Sequence, residues 1–286
     1  MNYPGLDALA SGASAGDNIA SFTSPPVAEV VAAVRFTAMS DPSFFAVAEF
    51  WSKALRSSFP TFELQPPYAP PEEQMDIRAA PRGIEINVGN VPPLPRLWLT
   101  SGDGQEILQI QPNWFAANWR KVQPSDQYAR WPARRSAFDK AWGALREWLE
   151  GRGEKIAPTQ CEVTYINHIV PQPGLWIDHR DAGAIFTAGI DMPNAGYTSE
   201  QFAWQGRFLL PGPDGNPIGR VHVSIQPAFL TSDASPVVIM EITARSAPFG
   251  TDRSGILETL DSARQAVVRT FDALTSSDAH RAWGKQ

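Results

Sequence analysis

Residues 27–36 alternate with β-branched side chains in the manner of a strand, and the period then changes. Asp41 and Pro42 suit a helix cap and first turn, after which Phe44, Ala48, Trp51, Leu55 and Phe59 recur at helical spacing through Arg56. Residues 61–65 predict a second strand, and the proline-rich stretch 66–81 predicts a loop of poor local order. Short alternating runs at 83–88, 96–101 and 106–111, separated by turns such as Ser101-Gly-Asp-Gly104, predict an antiparallel meander. Phe138, Ala141, Trp142, Leu145, Trp148 and Leu149 then mark a helix over 136–152 that buries a wide face.

The second half restates this plan. Strands are predicted at 160–169, 200–210, 219–230 and 236–246, with a short helix within 175–187. Pro211-Gly-Pro-Asp-Gly215 marks a hairpin, and Leu257, Leu260, Val267, Val268, Phe271 and Leu274 form the buried stripe of a closing helix over 254–276. Ile107-Leu-Gln-Ile-Gln-Pro112 recurs as His222-Val-Ser-Ile-Gln-Pro227, in each case followed by a polar gap and a long helix. The expected architecture is α+β: two pseudo-repeated halves, 25–157 and 158–286, each a curved antiparallel sheet with helices on one face. That order resembles the TATA-binding-protein-like and helix-grip folds, a likeness of architecture and not of function. A groove between the halves is where a ligand or partner is expected.

Strand alternation also sorts the second half into faces. Phe202, Trp204, Phe208, Val221, Val223, Ile225, Val238, Met240 and Ile242 belong under the helices. The opposite set is Gln205, Arg207, His222, Ser224, Gln226, Glu241, Thr243 and Arg245, joined by Glu162, Thr164 and His168, with Gln109 and Gln111 as first-half counterparts. Such a polar face is a solvated surface, a domain interface or a binding floor.

Composition narrows the classes. The chain has 286 residues, 43% hydrophobic and 19% charged, enough for one large or two medium domains. Its single cysteine, Cys161, leaves no intramolecular disulfide framework, favours a reducing, cytoplasmic setting and reads as a buried strand residue. No stretch has the ~18–20 apolar residues of a membrane span. Residues 1–24 lack a basic region followed by an apolar run and read as a flexible leader. With a formal net charge of −6, bulk electrostatics do not favour a general nucleic-acid binder.

No P-loop, dinucleotide-binding or nucleophile-elbow pattern is present, and His168, Asp178, His179 and Asp181 lack the spacing of a helical metal site. No metal or cofactor is therefore expected. An enzyme of hydrolase type would draw its catalytic groups from Glu162, His168, His222 and Glu241, which must then converge in an accessible cleft. A binding protein would use Asn118, Trp119 and Arg120 together with Arg207, Ser224, Gln226 and Arg245. Single-stranded nucleic-acid binding requires Arg120, Arg130, Arg134 and Arg135 in one positive groove beside exposed tryptophans. Trp114, Trp119 and Trp131 are otherwise expected in the core or a domain interface.

Several motifs occur together: Val27-Ala-Glu-Val30 after Pro25-Pro26, Asn118-Trp-Arg120, Tyr128-Ala-Arg-Trp-Pro132, Cys161-Glu-Val-Thr-Tyr-Ile-Asn-His168 and His280-Arg-Ala-Trp-Gly284. In this combination the chain resembles a sporadically distributed family of uncharacterised bacterial proteins. The resemblance implies no activity, cofactor or catalytic residue. Its patchy distribution suits an accessory gene, such as a partner in a defence or toxin-neutralising system. The expected work is non-catalytic binding of a protein partner or small ligand.

Overall fold

The alternating strands find their hydrogen-bond partners in one antiparallel sheet. The computed structural model describes residues 19–39, 44–69, 71–75, 95–187, 197, 199–212 and 214–286. The strand expected at 83–88 lies outside them, as do Asp41 and Pro42. The strands are β1 (Val27–Phe36), β2 (Thr61–Gln65), β3 (Arg96–Thr100), β4 (Glu106–Gln111), β5 (Trp114–Arg120), β6 (Pro158–Ile169), β7 (Trp204–Pro211), β8 (Pro217–Phe229) and β9 (Pro236–Ser246). Their order is β2-β3-β4-β5-β1-β6-β9-β8-β7.

Read outward from the central β1–β6 pair, both halves have the same succession, with β5, β4 and β3 answering β9, β8 and β7. The two similar sequence runs fall on β4 and β8, which are equivalent positions in that order. The polar gap of the first half contains a further strand, β5, that alternation did not predict. The halves share one sheet and one continuous core. No strand-to-strand gap separates them, so the expected groove is not a cleft through the sheet.

Helices α2 (Trp131–Gly151) and α3 (Arg253–Leu274) cover one face. Helix α2 begins before the predicted position because Pro132 fits its first turn, where no amide donor is needed. Phe115 from β5 packs its ring 5.6 Å from that of Trp142 and 5.7 Å from that of Phe138, both on α2. Cys161 is fully buried, and burial pushes its thiol up to about 12, which keeps it protonated and inert.

Helix α1 (Phe44–Phe50) runs into a π-helical turn, Trp51–Leu55, closed by Arg56 N donating to Trp51 O at 2.9 Å. The wider turn rotates the apolar stripe. Val47, Phe50 and Leu55 are buried, while the predicted Ala48 and Trp51 are only half-buried.

The leader expectation is corrected for its last residues. Phe22 is buried and sets its ring edge-on to Phe271 at 5.4 Å. Thr23 N donates to Gly284 O and Ser24 N to Trp283 O, each at 3.0 Å, and Gln286 N donates to Ser21 O at 2.8 Å. An apolar side chain among small residues thus clips this segment to the far end of the chain. The short helix α4 (Ser277–Ala282) sets the angle of that clip. Ser276 caps it, accepting from Ala279 N at 3.2 Å and donating to Ala184 O at 2.8 Å. Ser276→Ala is expected to lower stability by about 1 kcal/mol in urea denaturation, the usual cost of a lost cap.

Candidate functional site: a strapped polar sheet face

The partition of side chains predicted for the second half holds in the paired registers. Gln205 lies opposite Ser224, Arg207 opposite His222, Ser224 opposite Glu241, and Glu162 opposite Arg245. All point away from the helices. Phe208 departs from the expected apolar set, standing exposed near the sheet edge.

This face is not a bare solvated surface. Residues 66–69 and 71–75, expected to be poorly ordered, pass across it as a strap from β4 to β8. Tyr68 anchors the first end against the ring of Trp114 at 5.3 Å, beside Ala33 and Ala116. Gln111 grips the same residue twice: Tyr68 N donates to its Oε1 at 2.6 Å and its Nε2 donates to Tyr68 O at 2.8 Å. Gln160 repeats the grip further along, accepting from Glu73 N at 2.9 Å and donating to Pro71 O at 2.8 Å. Prolines suit such a strap, because they hold it extended and leave fewer amide donors without partners.

Charge fixes the other end. Glu72 pairs with Arg35 at 3.0 Å. Glu73 accepts from Arg220 Nη1 at 2.8 Å, lies 2.5 Å from His222 Nε2 and is 3.5 Å from Arg245 Nη1. Arg245 in turn hydrogen-bonds Glu162. Burial by itself raises the Glu73 carboxyl, but the hydrogen bonds from His222 and Arg220 and the nearby charges of His222 and Arg245 outweigh it. The group is held at about 2. Glu162, Arg245, Glu73, His222 and Arg220 thus form one network across β6, β9 and β8.

A second network crosses the first half. Arg96 and Trp98 donate to Gln109 Oε1 at 2.9 and 3.0 Å, Gln109 donates to Asn118 at 3.0 Å, and Asn118 donates to Glu29 at 2.5 Å. This corrects the aromatic-basic surface expected around Asn118, Trp119 and Arg120. Asn118 and Trp119 are buried on opposite faces of a central strand, and Arg120 Nε donates to Gly104 O at 3.0 Å. The positive groove fails for the same reason. Arg130 donates to Phe22 O, Arg134 pairs with Glu106, Arg135 pairs with Asp261, and Trp114, Trp119 and Trp131 are buried.

Beside the Glu73 network the face opens into a shallow recess of about 390 Å³ formed by Gln205, Gly206, Arg207, His222, Val223, Ser224 and Glu241. Here the structure brings together Arg207, Ser224, His222 and Glu241 from the predicted set. Gln226 lies exposed further along β8. The proposed catalytic quartet does not converge. His168 stands exposed at the far end of β6 opposite Ile239, Glu162 is tied to Arg245, and His222 to Glu73. Among the described residues Ser224 makes no hydrogen bond to His222, so no nucleophile is set against a base there. No cluster of three metal-binding side chains occurs among the described residues, and no helix there is long and apolar enough to cross a membrane.

No family model matches the chain, and no curated protein does. Among solved structures it is similar to Methanococcus jannaschii TBP, at 11% identity over 85% of this chain and 97% of that one, with a TM-score of 0.24. At that identity and score the likeness bears on neither the site nor its use. The α+β architecture rests on the topology itself.

Sequence reasoning missed Glu73, Gln160 and Arg220. The signal available for Glu73 was an acidic pair, Glu72-Glu73, directly after Pro70-Pro71. Arg220 and Gln160 were visible only as continuations of the polar face by one more pleat.

Proposed function

We propose that the protein is a non-catalytic binding module that engages an extended polypeptide segment of a partner on its polar sheet face. One observation carries this reading. Gln111 and Gln160 each hold a stretch of chain through both its amide and its carbonyl groups, and Arg220, Arg245 and the His222 ring hold its carboxylate. A surface that reads its own proline- and glutamate-bearing strap in this way has the chemistry to read a similar segment from outside. Main-chain hydrogen bonds provide adhesion, and the neighbouring recess, with Arg207, Ser224, Gln205 and Glu241, provides selectivity.

A peptide copying residues 66–75 tests the reading by competition. Labelled and titrated into the full chain carrying Glu73→Ala, it is expected to bind about tenfold more tightly than to the unsubstituted chain, whose own strap competes at high effective concentration. Adding Gln160→Ala to that variant should remove the gain. Equal, weak binding to both chains, read by fluorescence anisotropy, would reject the proposal.

A further inference from the structure

On the helical side, where the two halves meet at β1 and β6, a partly enclosed cavity of about 440 Å³ lies between α2 and α3. This size falls within the range of small-molecule sites. Its walls are unlike those of the recess on the other face. Val267, Val268 and Phe271 of α3, Val27 of β1 and Phe22 of the clipped segment form an apolar lining.

The polar groups include Ser21, Asn167 and Gln286, and the cationic and phenolic ones gather on one side. Tyr128 and Tyr165 face each other with their hydroxyls 2.7 Å apart. One proton lies between them, and the Arg264 guanidinium also hydrogen-bonds the Tyr165 hydroxyl. Arg264 lines the same cavity, and its buried Nε has no hydrogen-bond partner there. Arg130 also lines it, with Nη2 donating to Phe22 O at 2.8 Å. No aspartate or glutamate is among the lining residues. A guanidinium with a buried donor left over, beside two hydroxyls and with no Asp or Glu side chain in the lining to neutralise it, suits an anionic acceptor from outside.

We propose that this cavity is a binding site for a small amphipathic carboxylate. Its apolar body lies along Val267, Val268 and Phe271, and its carboxylate meets Arg264 and the Tyr128–Tyr165 pair. Phe22 closes one side, so the clipped segment is part of the site's wall. The site is separate from the strapped face, and neither proposal depends on the other.

Calorimetric titration of the full chain with decanoate, and with decanamide as its uncharged counterpart, tests this. The expected result is one decanoate per chain, bound at least tenfold more tightly than decanamide. Arg264→Gln, at a half-exposed position, should weaken decanoate about tenfold, the loss of one charge-assisted contact, and leave decanamide unchanged. Val268→Trp fills the cavity from its apolar wall and should abolish binding of both, with thermal unfolding as the check that the chain remains folded. Absence of decanoate binding, equal affinity for the two probes, or an Arg264→Gln chain that binds decanoate unchanged would overturn the proposal.

Discussion

Glu73→Gln is expected to lower stability by about 3 kcal/mol at neutral pH, although the residue lies in what reads as a surface loop. The carboxylate is nearly buried, as are its partners, with side-chain exposures of 10% for Glu73, 11% for Arg220 and 10% for Arg245. Removing its charge leaves two arginines on the sheet with only Glu162 to balance them. The pH dependence has a definite sign. A carboxyl held at about 2 in the folded chain, against 4.5 ordinarily, stabilises the fold in full above about pH 4.5. That contribution is lost as the pH falls toward 2. The shift corresponds to about 2 kcal/mol once solvent screening is allowed for. Urea denaturation from pH 7 to pH 2.5 should show the unsubstituted chain losing this increment and Glu73→Gln lacking it. Parallel profiles for the two chains would show that the strap adds no linked stability.

Gly219→Ala is the second substitution with a large expected cost, about 3 kcal/mol. Gly219 lies in β8 opposite Ser246 of β9. A Cβ there would stand 2.0 Å from the Arg245 carbonyl oxygen and 2.7 Å from Ser246 Cβ. The obstacle is backbone, so β8 itself must move, and Arg220 and His222, the next groups along it, move away from Glu73. Stability and strap attachment should therefore fall together. Hydrogen exchange at Glu73 N, whose partner is Gln160, reports the second effect. Unchanged protection at that amide in a Gly219→Ala chain that has lost the expected stability would separate the strand from the strap.

The legible parts of this molecule were those whose two faces differ. Strands β6, β8 and β9 carry apolar side chains toward the helices and polar ones away, and their alternation located both the strands and the floor on which Arg207, His222, Ser224 and Glu241 meet. Strand β5 escaped because it is covered on both sides. Trp114 lies under Tyr68 and Asn118 sits within a buried network, so the run has no polar face and read as an aromatic patch. The strap was illegible for another reason. Periodicity reports how a segment sits within its own element, whereas the place where Glu73 lands depends on a crossing between Gln111 and Arg220, which are far apart in sequence. Only the partners reveal it.

The clip between residues 21–24 and 283–286 joins positions 261 apart, as in the bond from Thr23 to Gly284. Closing so long a loop is entropically unfavourable until most of the chain is already in place, whereas β3–β4, β4–β5, β7–β8 and β8–β9 are hairpins between neighbours in sequence. The hairpins therefore assemble early and the clip closes last. In the reverse direction it is expected to let go early, a sub-global opening that separates residues 21–24 from 283–286 while the sheet persists. Because Phe22 forms a wall of the cavity on the helical side, that opening also removes one side of the cavity. Occupancy of the cavity is thus expected to follow the closing of the clip and not the global stability of the fold.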